Sequence, residues 1–198
     1  CKDLGFLGDL WQDKTKVHTL AYSSVFAMIR RYADKGLNFH LLLGNHDMWQ
    51  NNKWDVNSVQ PLDAIPNVRV IDRPCSYEVQ GRMIDWMPYA RDPARHLLGL
   101  GKGDLLLGHL SIAEARYTTA RTQWADLPVE NESDMDKLEV ERLARWRKVV
   151  LGHIHLAQVI GNVEYIGSPL ELRSDEGGVE KHIGIMDLFL VLQLFVGL

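Results

Sequence analysis

Four short polar clusters recur along this chain, each directly after an apolar run, and that repetition limits the folds open to it. They are Gly8-Asp9 with Asp13, Gly44-Asn45-His46-Asp47, Gly108-His109, and Gly152-His153-Ile154-His155. The preceding runs, residues 4–7, 39–43, 105–107 and 149–151, are short and continuously apolar, the pattern of strands buried on both faces. Polar residues on loops just past parallel strands emerge at one edge of a sheet, where α/β folds assemble their sites. The expectation is an α/β chain whose four clusters meet at that edge.

The rest of the pattern agrees. Residues 17–35 carry Val17, Leu20, Ala21, Ser24, Val25, Met28, Ile29 and Tyr32 at helical spacing and stop at Gly36. Such a helix would join the first two apolar runs as a βαβ crossover. Short β-like runs follow at 68–71, 76–79 and 83–86, separated by Pro74 and Gly81. Runs at 104–108, 148–151, 157–160 and 163–166 continue the series. Two sheets packed together with helices outside is the architecture this suggests. Residues 136–146 read as a helix, acidic at its start and basic at its end (Arg142, Arg145, with Arg147 and Lys148 beyond), as the helix dipole favours. DNA-backbone contact is the alternative reading of those cations. The acidic segment 123–136 reads as a solvated insertion. The chain closes with a strand at 182–188 and an apolar tail, residues 189–198, which is too short for the ~20 residues of a membrane-spanning helix.

Composition narrows the class further. With 198 residues and 46% hydrophobic content, one large core in one domain is expected. A formal charge of −4 gives no global attraction to nucleic acid, so any such contact needs a local basic patch. Cys1 and Cys75 make no disulfide framework, and no signal peptide is visible, so a cytoplasmic setting is expected.

The residue types in the clusters point to metal chemistry. Carboxylate, imidazole and amide oxygen together suit Mn, Fe or Zn alike, and Mn comes first only through the resemblance given below. Two such ions about 3.5–4 Å apart can grip a phosphoryl group and make a nucleophile of water at neutral pH. The expected activity is phosphoester hydrolysis. A lone Gly-His pair would be weak evidence, since isolated histidines are usually structural; four clusters in strand context are much stronger.

In this order, Gly-Asp-(x)n-Asp, Gly-Asn-His-Asp, Gly-His and Gly-His-x-His resemble the calcineurin-like metallophosphoesterase superfamily, over about residues 6–188. Gly8-Asp9-Leu10-Trp11-Gln12-Asp13 and Tyr165-Ile166-Gly167-Ser168-Pro169-Leu170 resemble its nuclease branch, the SbcD-type exonuclease subunits and their phage recombination counterparts. The resemblance implies a four-layer α/β/β/α sandwich of two mixed sheets, with a metallophosphoesterase domain at 1–188 and the tail at 189–198. It implies that Asp9 bridges two divalent ions, that Asn45, His109 and His153 complete one site, and that His155 binds the other ion. His46 would contact the phosphate and assist the leaving oxygen, and Asp47 would orient His46 through a hydrogen bond. Asp13 is either a ligand or a helix cap. DNA, an ATPase subunit of the SbcC type and a homodimeric partner are implied as well, in a bacterial or phage-infected cell.

The superfamily opens with an Asp-x-His pair that this sequence lacks: Asp3 is followed at position 5 by glycine. The expectation is a chain lacking its first βα unit, with one reasonable metal site and one crippled site, in which activity itself could be lost. Two other functions stay open: a phosphatase or phosphodiesterase acting on nucleotides or phosphoproteins, and a non-catalytic remnant that binds a partner. Trp49, Trp54 and Asn51-Asn52-Lys53 could line a nucleic-acid groove, or anchor a surface loop. Pro88-Tyr89-Ala90-Arg91 could reach a substrate phosphate, or form a turn. His18, His40, His96 and His182 carry no ligand pattern and are read as structural.

Overall fold

Residues 3–6 are apolar apart from Asp3 and form β1 (Asp3–Phe6), buried throughout and flanked by parallel strands on both sides. Its neighbours are β2 (Asn38–Leu42) and, near the C-terminus, β13 (Leu190–Leu192). In the computed structural model of the chain, residues 2–50, 53–116, 137–169, 184–185 and 190–192 are described. The first sheet runs β12 (Gly184–Ile185), β13, β1, β2, β3 (Val68–Ile71), with only the β12–β13 pair antiparallel.

The second sheet has six strands, ordered β10 (Gln158–Ile160), β11 (Val163–Tyr165), β9 (Lys148–Gly152), β6 (Leu105–His109), β5 (Arg82–Met87), β4 (Cys75–Val79). Its inner strands β11, β9, β6 and β5 are parallel, and the antiparallel hairpin partners β10 and β4 lie at its edges. A small parallel pair, β7 (Ser111–Ile112) with β8 (Lys137–Leu138), sits apart.

The two sheets share a core. Leu7, Leu42 and Ile71 from the first meet Ile84, Trp86, Leu105, Leu107 and Val150 from the second. Helix α1 (Thr19–Ala33) covers the outer face of the first sheet with Ala21, Val25 and Ile29, four residues apart and buried. It ends at Ala33, two residues before the expected end, and the chain passes through Gly36 in the left-handed region at φ 88°. The outer face of the second sheet is covered by Leu97 of the short helix α2 (Pro93–Leu97), by Leu143 and by Trp146. The architecture is the expected sandwich of two mixed sheets, with one full helix on one side and short helical turns on the other among the described residues. None of these helices is long and apolar enough to cross a membrane.

Two local expectations are corrected. Residues 137–146 are not a helix: they form β8 and a 3-10 turn (Val140–Leu143). Leu138 is drawn into pairing with β7, and Leu143 and Trp146 bury against the second sheet, so tertiary contacts override a charge pattern that suits a helix. The C-terminal residues 190–192, expected in a tail, are instead the strand β13 beside β1. The acidic segment 123–136, His182 and most of the expected last strand lie outside the described residues.

Candidate metal centre

The chain leaves β1 through Leu7 and turns at Gly8, φ 90°, into Asp9, which is itself left-handed at φ 58°. His153, just beyond β9, is left-handed too, at φ 86°. A non-glycine residue in this region is strained and persists only where its surroundings hold it, which happens most often at functional sites. Here two of the proposed ligands carry the strain. Crowding explains the glycines: a Cβ on Gly8 would collide with the His109 ring, and one on Gly44 would collide with the Asp9 carboxylate. Gly108 and Gly152 lie within β6 and β9 and continue their strands, and the turn after β9 falls on His153 instead.

Four of the residues expected as ligands converge. His109 Nε2 lies 3.2 Å from Asp9 Oδ2, 3.1 Å from Asn45 Oδ1 and 3.1 Å from His153 Nδ1. His153 Nδ1 is also 3.1 Å from Asn45 Oδ1. The ligand atoms of Asp9, His109 and His153 all lie within 4.8 Å of one another, so one ion could touch all three. The edges of the two sheets meet here, Asp9 and Asn45 coming from the first and the two histidines from the second.

The environment fixes the tautomer of His109. Its Nδ1 donates to the Leu7 carbonyl at 2.6 Å, so in the neutral ring the Nε2 lone pair faces Asp9, Asn45 and His153. Then Asp9 Oδ2, Asn45 Oδ1 and His109 Nε2 are all acceptors pointing at one spot. Without an ion, a proton takes that place. Burial alone would keep His109 neutral, but the Asp9 carboxylate outweighs it and raises the His109 pKa. Burial would likewise raise Asp9, but the charge and hydrogen bond of His109, with His46 and His153 nearby, hold its carboxyl well below the usual range. One added N–H cannot satisfy three acceptors, whereas a divalent cation can. The residues present therefore fit a metal ion.

Around this centre the supporting contacts differ from those expected. Asp47 accepts backbone N–H groups from Gly44 at 2.8 Å, Asp9 at 2.8 Å and Trp11 at 3.2 Å. Its carboxylate thus laces the first cluster to the second. Burial, then the neighbouring Asp9 charge, raises the Asp47 pKa. His46 is instead oriented by the carbonyl of Gln12, which accepts from Nδ1 at 2.7 Å, while its own backbone N–H donates to Asp9 Oδ1 at 2.8 Å. Asp13 is exposed and accepts from Thr15 and Lys16, closing a turn; the helix cap position belongs to His18. His155 stands outside the converging set, and its carbonyl accepts from Ser168 N–H at 3.1 Å.

Tyr89, in the segment Pro88-Tyr89-Ala90-Arg91 read as either a phosphate contact or a turn, lies beside the histidines of the site. It is buried, with its ring 5.7 Å from that of His153 and 6.2 Å from that of His109, and its N–H donates to the Leu43 carbonyl at 3.0 Å. The signal was its place just past β5, the same strand-end position that carries the other clusters.

No family model matches the chain. Over 170 residues it is 24% identical to exonuclease subunit 1 of enterobacteria phage T4, an alignment covering 85% of this chain and 48% of that protein. The chain spans about half the length of this curated relative. The chain is thus a mixed α/β protein, distantly similar to a phage exonuclease subunit, with a cluster of residues able to hold a metal ion.

Proposed function

We propose that this chain is the nuclease part of a metal-dependent phosphodiesterase acting on DNA in a recombination or repair complex. One observation carries the reading: Asp9, Asn45 and His109 direct their acceptor atoms at one point, with His153 Nδ1 within 3.1 Å of two of them, and a single added proton cannot satisfy all three. The similarity to an exonuclease subunit supports it and favours nucleic acid over other phosphoesters. The word subunit in that relative's name also supports a partner, which we take to be an ATPase of the SbcC type, in a cytoplasmic setting.

In this reading Asp9, Asn45, His109 and His153 hold one divalent ion, Mn first and Fe or Zn as alternatives. A second ion would draw on Asp9 and, in this reading, on His155. A bound divalent ion would supply Lewis-acid polarisation of the phosphoryl group and a more acidic water. The protein does the rest. Leu7 holds the His109 proton on Nδ1, which keeps the other ring nitrogen available as a ligand. Gln12 holds the His46 proton on Nδ1, so His46 can donate from Nε2 to a leaving oxygen only as the imidazolium. Asp47 fixes the backbone of both loops, so the constellation is set before substrate arrives.

The test uses the 198-residue chain with Mn, bis(p-nitrophenyl) phosphate and linear DNA. Metal-dependent hydrolysis of both, lost on chelation, is expected. Hydrolysis of phosphomonoesters alone would replace the reading with a phosphatase. No metal binding by calorimetry would replace it with a non-catalytic binding role.

A further inference from the structure

Beyond the metal centre, the loop that follows His46 carries an aromatic side chain whose placement the fold does not require. Trp11, Trp86 and Trp146 are fully buried and Trp54 is half-buried, but Trp49 is 52% exposed. Its chain neighbour Met48 is completely buried, so the loop is anchored immediately before the tryptophan. The anchoring is dense. Met48 bridges Asn57, Trp49 N–H donates to the Val56 carbonyl at 3.1 Å, and the Ser58 N–H and hydroxyl both donate to the Asp47 carbonyl. The loop base is therefore tied to the residue that laces the metal-site backbone together.

What the loop presents is an exposed apolar surface, Trp49 with Val56, that carries one lysine. Val56, joined to Trp49 by that backbone bond, is 51% exposed. Lys53 Nζ sits 5.6 Å from the centre of the Trp49 ring. The other tryptophan of the loop has a structural job instead: Trp54 Nε1 donates to the Tyr89 carbonyl at 2.7 Å. An exposed indole with a lysine ammonium over one face suits a nucleobase stacked on the ring with its phosphate near the lysine, because every base offers a π-face and stacking does not depend on sequence.

We propose that Trp49 is a base-stacking platform that binds an unpaired nucleotide of the substrate strand, with Lys53 against its phosphate. This rests on the phosphodiesterase reading for the claim that this surface serves the substrate of the same site. It sharpens that reading to single-stranded or frayed DNA, since a base inside a duplex is already stacked on both faces.

The test is binding of fluorescent oligo-dT and of its abasic counterpart, which keeps the phosphates and lacks the bases, by anisotropy with Ca in place of Mn. The wild-type chain should prefer oligo-dT by about 5- to 150-fold, the equilibrium equivalent of stacking one base. Trp49→Ala should abolish that preference and Trp49→Phe should restore most of it. Equal wild-type affinity for the two probes, no binding of oligo-dT, or a preference that survives Trp49→Ala would each overturn the proposal. Hydrolysis of bis(p-nitrophenyl) phosphate by the wild-type chain with Mn is followed separately. If that diester is cleaved and the preference is absent, stacking fails and the phosphodiesterase reading stands; if the preference is present and no phosphodiester is cleaved, the reverse holds.

Discussion

β1 has a buried carboxylate–imidazole pair near each end, and the two pairs behave in opposite ways. At its start, Asp3 lies 3.0 Å from His40 Nε2; just past its end, Asp9 lies 3.2 Å from His109 Nε2. Around Asp3 the hydrogen bonds close on themselves. Asn38 and Gln80 donate to its carboxylate, and the second nitrogen of His40 meets the Tyr77 hydroxyl at 2.9 Å. The three side-chain nitrogens of Asn38, His40 and Gln80 all point at the Asp3 carboxylate, so donors face acceptors there. Around Asp9 the acceptors Asp9 Oδ2, His109 Nε2 and Asn45 Oδ1 face one another, with His153 Nδ1 beside them. A cleft of about 610 Å³ opens at the Asp3 edge, so an opening beside buried polar groups does not identify a site. The mismatch between acceptors and protons does.

The largest effect expected from this contrast is on Asp9. Asp9→Ala should lower Mn affinity by on the order of 100-fold or more in calorimetry, beyond the 10–100-fold typical of residues that merely support a ligand. Asp3→Ala should leave Mn affinity where it was. If both variants lose metal alike, the two ends of β1 do not differ as argued. Next comes His46, which should separate chemistry from binding. His46→Ala should keep Mn and lose roughly 100-fold or more in diester turnover, as for one positioned acid or donor. Unchanged turnover would remove His46 from the reaction.

A smaller effect falls on the closed end. His40→Ala leaves the Asp3 carboxylate and the Tyr77 hydroxyl each short of a buried partner, costing about 1–3 kcal/mol. For a chain of this size that lowers the melting temperature by about 2–4 °C per kcal/mol. Denaturation of the metal-free protein would show it. A melting temperature matching wild type would mean that the network contributes little.

The contrast also marks what the sequence could and could not disclose. The strand-then-cluster repetition located the sheet edge where Asp9, Asn45, His109 and His153 lie together, because period and punctuation are local properties. The strand at 68–71 matches β3 residue for residue, and the helix at 17–35 differs from α1 by two residues at each end. Non-local pairing was the hidden part. Nothing near residue 137 announces that Leu138 will pair beside Ile112, or that Leu190–Leu192 will lie beside Leu4–Phe6. The work of carbonyls was hidden too. Which His109 nitrogen is left as an acceptor depends on Leu7, and which group orients His46 depends on Gln12, and a backbone carbonyl has no sequence signature. Asp47 shows the same limit, since its position beside His46 in sequence suggested a partner that its carboxylate passes over for three backbone N–H groups.

The smallest and most discriminating test is pH, where the two imidazoles should oppose each other. Burial depresses the pKa of His40 below its ordinary value of 6.5, outweighing the attraction of Asp3, with the Arg69 charge adding to the depression. A depressed group stabilises the fold above its unfolded pKa, and that contribution is lost as pH falls through the folded pKa. His109 is raised, so its contribution is present below 6.5 and lost as pH rises through its folded pKa. Acidifying the metal-free protein from pH 7.5 to 5.5 therefore weakens one end of β1 while it strengthens the other. His40→Gln isolates the difference, because the His109 contribution is common to both proteins and cancels. The variant should lose less stability than wild type over this interval, so the gap between their melting temperatures narrows as pH falls. A gap that stays constant would place no titrating imidazole at the closed end. A gap that widens would mean that His40 binds a proton more readily folded than unfolded, and the two ends would then be electrostatically alike.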